Sequence, residues 1–306
     1  MTQTKKNGWL LTPPAADLPQ VPFPEAVRQA SANLPGTLPE RPDELVFALD
    51  IDGTLVGAGG VTKRMRETLA AARDAGAEIV IATGRGIYST QAVIHDLGLG
   101  DGWGVCSNGS VTVQWDRDHI EGHTVKEFTD FEVRPTAERF LETFPSILLG
   151  VDAGPEGMIV SEMFPAGELM RQTLAESLEQ LLGSRATRLV ARAPWLKRED
   201  FAQQIDEMGL EDVEYAVGWT SWADIGPVGV TKASGLQRLV EQLDKPANGT
   251  IALGDGDNDV AMLQWAAHGV AMGSAGENVK QSADAVTAPV EQDGAAAVIQ
   301  AVLSRY

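Results

Sequence analysis

Short apolar runs that end abruptly in acids or small polar residues set what this chain can fold into. Leu45-Val46-Phe47-Ala48-Leu49 is apolar throughout and stops at Asp50; Ile79-Val80-Ile81-Ala82 stops at Thr83-Gly84; Ile251-Ala252-Leu253 stops at Gly254-Asp255. A strand with one wet face alternates apolar and polar residues, whereas a continuous apolar run belongs to a strand covered on both faces. Further strands read over 103–107, 269–273 and 285–288. Helical stretches fall between them at 63–75 (closed by Gly76), 88–97, 232–243, 260–267 and a last one running through Leu303. Strands alternating with helices imply βαβ units, a parallel sheet and an α/β fold.

Between the two halves of this pattern the rhythm changes. Residues 113–226 read as an α+β insert. Its elements are a hairpin over 112–125 turning at Asp116-Arg117-Asp118, helices at 135–143, 168–182 and 198–208, and strands at 147–151, 158–161, 188–193 and 213–217. The organisation expected is therefore an arm (1–44), a core made of 45–112 and 227–306, and an inserted module (113–226). Eight of the 16 prolines lie within the first 42 residues, and proline removes a donor and fixes φ, so the arm holds at most a short helix over 25–33.

Charge removes whole classes of partner. With 43 acids against 24 bases the net charge is −19, and no basic run is segregated, so phosphate backbones and anionic membrane surfaces are repelled. One cysteine permits no internal disulfide and fits a reducing compartment. Lys5-Lys6 precede only Trp9-Leu10-Leu11 before Pro13-Pro14, too short for a secretory leader, and no apolar run reaches the roughly 18 residues that span a bilayer. A cytoplasmic location is the expectation.

Open parallel sheets bind ligands at the carboxyl ends of their strands. Polar residues collect there: Asp50 and Asp52, Thr83-Gly84-Arg85, Asn108-Gly109, and Gly254-Asp255-Gly256-Asp257-Asn258-Asp259. Asp50 and Asp52, two apart, face one side. Carboxylates crowded together disfavour joint ionisation, and a hard divalent cation such as Mg2+, which needs one or two protein carboxylates plus water and phosphate oxygens, resolves this. Thr83 can donate a hydroxyl hydrogen bond and Lys232 can balance phosphate charge. A calcium loop does not fit: with Asp255 as first ligand, Val260 stands where glycine is needed and Ala266 where glutamate is needed.

Asp50-Ile51-Asp52-Gly53-Thr54 resembles the first motif of the haloacid dehalogenase (HAD) superfamily. Thr83-Gly84-Arg85 resembles its second, Lys232 in Val230-Thr231-Lys232 its third, and Gly254-Asp255 with Asn258-Asp259 its fourth. Asn108-Gly109-Ser110 and Val270-Ala271-Met272-Gly273 resemble the Cof-type subgroup (subfamily IIB), whose large α/β cap lies between the second and third motifs, where the insert falls. The resemblance implies a HAD-like Rossmannoid parallel sheet core with an inserted C2-type cap. It also implies a Mg2+-dependent phosphatase for a small phosphorylated metabolite such as a sugar phosphate. Asp50 would be the nucleophile that becomes an aspartyl-phosphate, and Asp52 the general acid and base. Asp50, the Asp52 carbonyl and Asp255 would hold Mg2+, with Asp259 in support. Thr83, Gly84, Lys232, Asn258 and Asn108 would surround the phosphate. A phosphomutase and a non-catalytic phospho-ligand-binding regulator are the alternatives on the same scaffold. In the insert, Arg192, Trp195, Lys197 and Arg198 cluster near a turn, placed to meet a second anionic group or a ring of the substrate.

Overall fold

The computed structural model describes residues 18–306 apart from 153, 155 and 156; the first 17 residues of the expected arm lie outside this range. Helix α1 (Phe23–Asn33) comes first. Strand and helix then alternate through β1 (Val46–Leu49), α2 (Lys63–Asp74), β2 (Glu78–Ala82), α3 (Ile87–Leu97) and β3 (Gly102–Cys106), followed by β4 (Val111–Trp115) and β5 (His123–Phe128). The inserted segment continues with β6 (Phe131–Glu132), α4 (Arg134–Thr143), β7 (Leu148–Asp152), β8 (Met158–Val160), β9 (Gln172–Leu174), α5 (Leu178–Leu182), β10 (Arg185–Ala186), β11 (Leu189–Arg192), α6 (Arg198–Met208), β12 (Val213–Val217) and β13 (Trp222–Pro227). The chain returns through α7 (Lys232–Gln242), β14 (Thr250–Gly254), α8 (Val260–Trp265), β15 (His268–Ala271), α9 (Glu277–Ser282), β16 (Ala285–Val286) and α10 (Gly294–Leu303).

The larger sheet has the order β16-β15-β14-β1-β2-β3-β4-β5. Its strands are parallel from β16 to β3. The chain winds outward from β1 through β2 and β3 on one side, and from β14 through β15 and β16 on the other. The order therefore reverses at β1/β14, and a crevice opens at the carboxyl ends there. Both faces are covered, as the unbroken apolar runs require. Leu45, Phe47 and Leu49 pack with Leu69 of α2, Ile94 of α3 and Val298 of α10, while Val46 and Ala48 pack with Leu236 and Leu239 of α7 and Met262 of α8. Each large side chain buried this way contributes about 1.5–3 kcal/mol, which fixes the strand ends rigidly.

The hairpin expected inside the insert is present, but it extends the larger sheet beyond residue 112 instead. β4 runs antiparallel to β3, from Gly102 opposite Trp115 to Cys106 opposite Val111. Burial of Val111, Val113 and Trp115 in the core of that sheet explains the placement.

The second sheet, β12-β13-β11-β7-β8-β9, is antiparallel except where β8 meets β9. Phe140 of α4, Leu181 of α5 and Phe201 of α6 close its core. The helix expected over 168–182 is confined to Leu178–Leu182, where Ser177 caps the first turn by accepting from the Gln180 N–H. Upstream, Gln172–Leu174 pairs instead with Met158–Val160, and Glu168 is held by Arg192. β13, not expected, lies between β11 and β12. The described part of the arm straps the core: α1 packs on α10, Val21 N–H donates to Gln292 Oε1 (2.8 Å), and Arg305 and Tyr306 donate to the carbonyls of Pro35 and Pro39. No helix among the described residues is long and apolar enough to cross a membrane.

Candidate active site

Asp50 is the first residue past β1, and its N–H still donates to the Leu253 carbonyl (3.0 Å), so its position is set by the sheet. Behind it the backbone turns tightly, the Ile51 carbonyl accepting from the N–H groups of Leu55 and Val56. Gly53 sits in that turn with φ +84°, and a Cβ there would lie 2.1 Å from Asp255 Oδ2. Glycine alone lets the loop after β1 close against the loop after β14.

Lys232 opens α7. Thr231 and Ser234 cap that helix reciprocally, which fixes where the lysine starts. Its side chain is fully buried, and Nζ donates to Asp50 Oδ1 (2.6 Å) and Asp259 Oδ1 (2.7 Å). The other Asp259 oxygen accepts from the N–H groups of Asp255 (2.9 Å) and Gly256 (3.0 Å). One aspartate therefore both anchors the lysine and closes its own loop. Asp50, Asp255 and Asp259 bring carboxylate oxygens within 4.8 Å of one another, all buried.

A single lysine does not balance three carboxylates. Burial, and then repulsion from Asp259, push Asp50 from 3.8 up to about 7 despite the attraction of Lys232. Asp255 is pushed well above the usual carboxylate range by burial and by Asp50 and Asp259. Burial pulls Lys232 down, but Asp259 and Asp50 outweigh it and the ammonium ends above its ordinary value. Excess negative charge carried on hard oxygen donors is what a divalent cation relieves, and the donor set fits a hard ion of the Mg2+ kind.

Asp52 is held apart from this nest. Arg85 grips it in a fork, Nε donating to Oδ2 (2.7 Å) and Nη2 to Oδ1 (2.6 Å), with both side chains largely buried. Burial pulls Arg85 down and Asp52 more than restores it. The Asp52 carboxylate thus stands outside the group of Asp50, Asp255 and Asp259. Thr83, at the end of β2, is buried, and its hydroxyl accepts from the Arg85 N–H (3.1 Å). Asn108, with φ 53°, donates from its N–H to the Thr83 carbonyl (3.0 Å). Its Oδ1 accepts from Asn258 Nδ2 (2.9 Å). Asn258 therefore bridges to Asn108, tying the loop after β14 to the loop after β3, and makes no bond to Lys232.

An open cleft lies between the two sheets, bounded by Arg85, Gly86 and the first turn of α3 on one side and by Asp152, Met158, Arg188 and Trp222 on the other. Arg192, Trp195, Lys197 and Arg198, expected to face substrate, do not line it. Arg192 is taken up by Glu168 (3.0 Å to each oxygen) and by Ser221 Oγ (2.6 Å), and Arg198 by the Gly218 carbonyl (2.9 Å). Trp195 is exposed. Arg188 and Asp152 occupy the cleft instead. The signal was present: both flank apolar runs of the insert, just as Asp50 and Asp255 flank those of the core.

The sequence model of the haloacid dehalogenase-like hydrolases matches residues 47–299. The phosphatase YwpJ of Bacillus subtilis is 26% identical over 294 residues, covering 84% of this chain and 99% of its own. The pyridoxal phosphate phosphatase YbhA of Escherichia coli is 29% identical over 261 residues, covering 79% and 92%. Among solved structures, a HAD subclass IIB sugar phosphatase superposes with a TM-score of 0.68 at 24% identity over 86% of this chain and 100% of that one. A haloacid dehalogenase-like hydrolase from B. subtilis gives 0.69 at 22% identity over 83% and 98%. With the match running through both halves of the larger sheet and the insert between them, the chain belongs to the haloacid dehalogenase-like hydrolases, as an enzyme of their phosphatase kind.

Proposed function

We propose that this enzyme hydrolyses a small phosphorylated metabolite, a sugar phosphate or similar, with Mg2+ and through an aspartyl-phosphate on Asp50. The observation that supports this most is the buried Lys232 held between Asp50 and Asp259 with Asp255 alongside. That arrangement presents a nucleophilic carboxylate, a fixed cation for phosphate oxygens and an unbalanced negative pocket at one strand edge.

Asp50 attacks phosphorus with its oxygen that is not bonded to Lys232, and the bond from phosphorus to the ester oxygen breaks. Lys232 and the Thr83 hydroxyl hold phosphoryl oxygens, so catalysis is chiefly positioning and charge stabilisation. Asp52 starts this half protonated and rotated out of the Arg85 fork, and gives its proton to the leaving oxygen. In the second half it takes a proton from the water that attacks phosphorus and frees Asp50. Asp50, Asp255 and the Asp52 carbonyl, with Asp259 in support, would hold Mg2+, which supplies charge neutralisation at the phosphoryl group.

The test is inorganic phosphate release across a panel of sugar, polyol, nucleotide and cofactor phosphates, with Mg2+, with chelator, and with Asp50→Asn. Release that needs both Mg2+ and Asp50 is expected, with the variant down by about 10⁴-fold or more, since loss of a nucleophile leaves only binding and electrostatic terms. Silence of folded wild-type protein across the panel would overturn hydrolysis in favour of phosphoryl movement within a substrate or of ligand binding without turnover.

A further inference from the structure

We propose that Arg188 and Asp152 form a subsite that selects phosphate esters whose alcohol part carries a second hydroxyl close to the ester oxygen; this rests on the phosphatase reading above. Arg188 precedes β11 in the insert, yet its guanidinium reaches the core. Nη1 donates to the Gly84 carbonyl (2.9 Å) and to Asp224 Oδ1 (3.2 Å), and Nη2 lies 3.7 Å from Met158 Sδ. The residue is only 6% exposed, so the guanidinium is locked in one orientation. Its Nε–H, also buried, has no hydrogen-bond partner among the described residues. An unsatisfied buried donor is costly, more so on a charged group; the nitrogen beside Gly86 at the cleft is Nη2, whose one acceptor among the described residues is the weak Met158 Sδ, and this points to an acceptor supplied by a ligand.

Asp152 supplies the complementary half. It ends β7 and lines the same cleft. Oδ1 accepts from the Gly154 N–H (3.1 Å), while Oδ2 faces Gly86. A Cβ at residue 86 would lie 2.6 Å from that oxygen and 3.3 Å from Arg188 Nη2. Glycine at 86 is what lets a fixed donor and a fixed acceptor converge on the core loop. Asp152 and Arg188 do not form an ion pair with each other, so each keeps capacity for a third group.

The chemistry of that group follows from the pair. A hydroxyl donates and accepts at once and satisfies both. A second anionic group would meet the Asp152 carboxylate, and an apolar leaving group would leave the Arg188 donor unpaired. Trp222 and Met158 add an apolar wall suited to the carbon face of a polyol. The link to the reacting edge runs through the core loop: Arg188 holds the Gly84 carbonyl, and the next residue, Arg85, lines the cleft and grips Asp52.

The experiment compares glycerol phosphate with propyl phosphate, the same three-carbon skeleton with and without hydroxyls. Wild type, Arg188→Met, Arg188→Lys and Asp152→Asn are each read as kcat and KM. Wild type is expected to favour glycerol phosphate by about ten- to a hundredfold in kcat/KM, the range a charge-assisted hydrogen bond provides. Each variant is expected to collapse that preference by losing far more glycerol phosphate turnover than propyl phosphate turnover. Lysine should restore little, because it lacks the planar guanidinium whose Nη1 holds Gly84 and Asp224 while Nη2 stays free for a ligand. Wild type treating both esters alike, or variants slowing both equally, overturns the proposal. Should Arg188→Met fail to fold, Asp152→Asn carries the same comparison without breaking the bonds from Arg188 to Gly84 and Asp224. Phosphate release from the panel with no hydroxyl preference overturns this inference alone; no release from any ester overturns the phosphatase reading and this inference with it.

Discussion

At the edge of the larger sheet, Lys232 is shared between Asp50 and Asp259, Asp255 adds a third carboxylate, and Arg85 grips Asp52 through Nε and Nη2. Across the cleft, Arg188 is paired with Asp224 and Arg192 with Glu168, and Arg188 keeps donors on Nε and Nη2 without an oxygen acceptor among the described residues. The core edge thus carries a concentrated excess of carboxylate charge, while the wall contributed by the insert pairs its two buried arginines and keeps a directional donor on Arg188 opposite a directional acceptor on Asp152. In the reaction proposed, the phosphoryl group is common to every substrate and calls for strong, undirected fields, while the alcohol part differs between substrates and calls for directional contacts.

The largest expected effect tests the core side of this contrast. Lys232→Met removes the only cation in contact with Asp50 and Asp259 among the described residues, and breaking a buried pair while leaving its partners costs about 3–5 kcal/mol. Denaturant unfolding of the metal-free protein measures it. A loss below about 1 kcal/mol would mean that protons already neutralise the nest and the lysine carries little of its charge balance.

Metal binding gives the next effect. Asp50 in the folded chain holds its proton up to about pH 7, against 3.8 ordinarily. Between these values the folded state binds more protons than the unfolded one, so the metal-free protein loses stability as pH rises through that window. A cation must displace the proton below pH 7 and meets a bare carboxylate above it. Mg2+ at about a hundred times its dissociation constant stabilises by roughly 2.7 kcal/mol, and at one fixed Mg2+ concentration the thermal shift should be larger at pH 8 than at pH 6. Equal shifts at both values would place the ion elsewhere.

Much of the core was legible because its signals are local. Strands β1, β2 and β14 are covered on both faces, so each reads as an uninterrupted apolar run, and the residue that ends the run is delivered to the site edge by the sheet. Lys232 was legible through its order in the chain. What escaped depends on long-range pairing. Arg85 stands beside Thr83 in sequence, but the grip on Asp52 spans 33 residues. Arg188 reaches across 104 residues to Gly84. Residues 168–177 have helical spacing that β8 and Arg192 override. β13 carries Asp224, Gly226 and Pro227, residues that rarely favour a strand, and it pairs because β11 and β12 flank it. Arg192 in turn looked like a substrate contact because its partner Glu168 lies 24 residues upstream.

That pair supplies the smallest expected effect and the sharpest test of the contrast. Arg192 and Glu168 are as well buried as Arg85 and Asp52, so burial alone would make Arg192→Met as damaging as a core lesion. The mountings differ. Asp50 is pinned by the sheet, whereas Glu168 sits in an irregular stretch between β8 and β9 that can swing outward and rehydrate its carboxylate. The expected cost is therefore about 1–2 kcal/mol, near that of a lost hydrogen bond to a charged group and not that of a trapped charge. Because residues 167–170 line the cleft, their release should raise KM for the best substrate while kcat, set at the core edge, changes little. A drop in kcat with KM constant would show that this segment acts on the chemistry itself, and the division of labour between core edge and insert would fail.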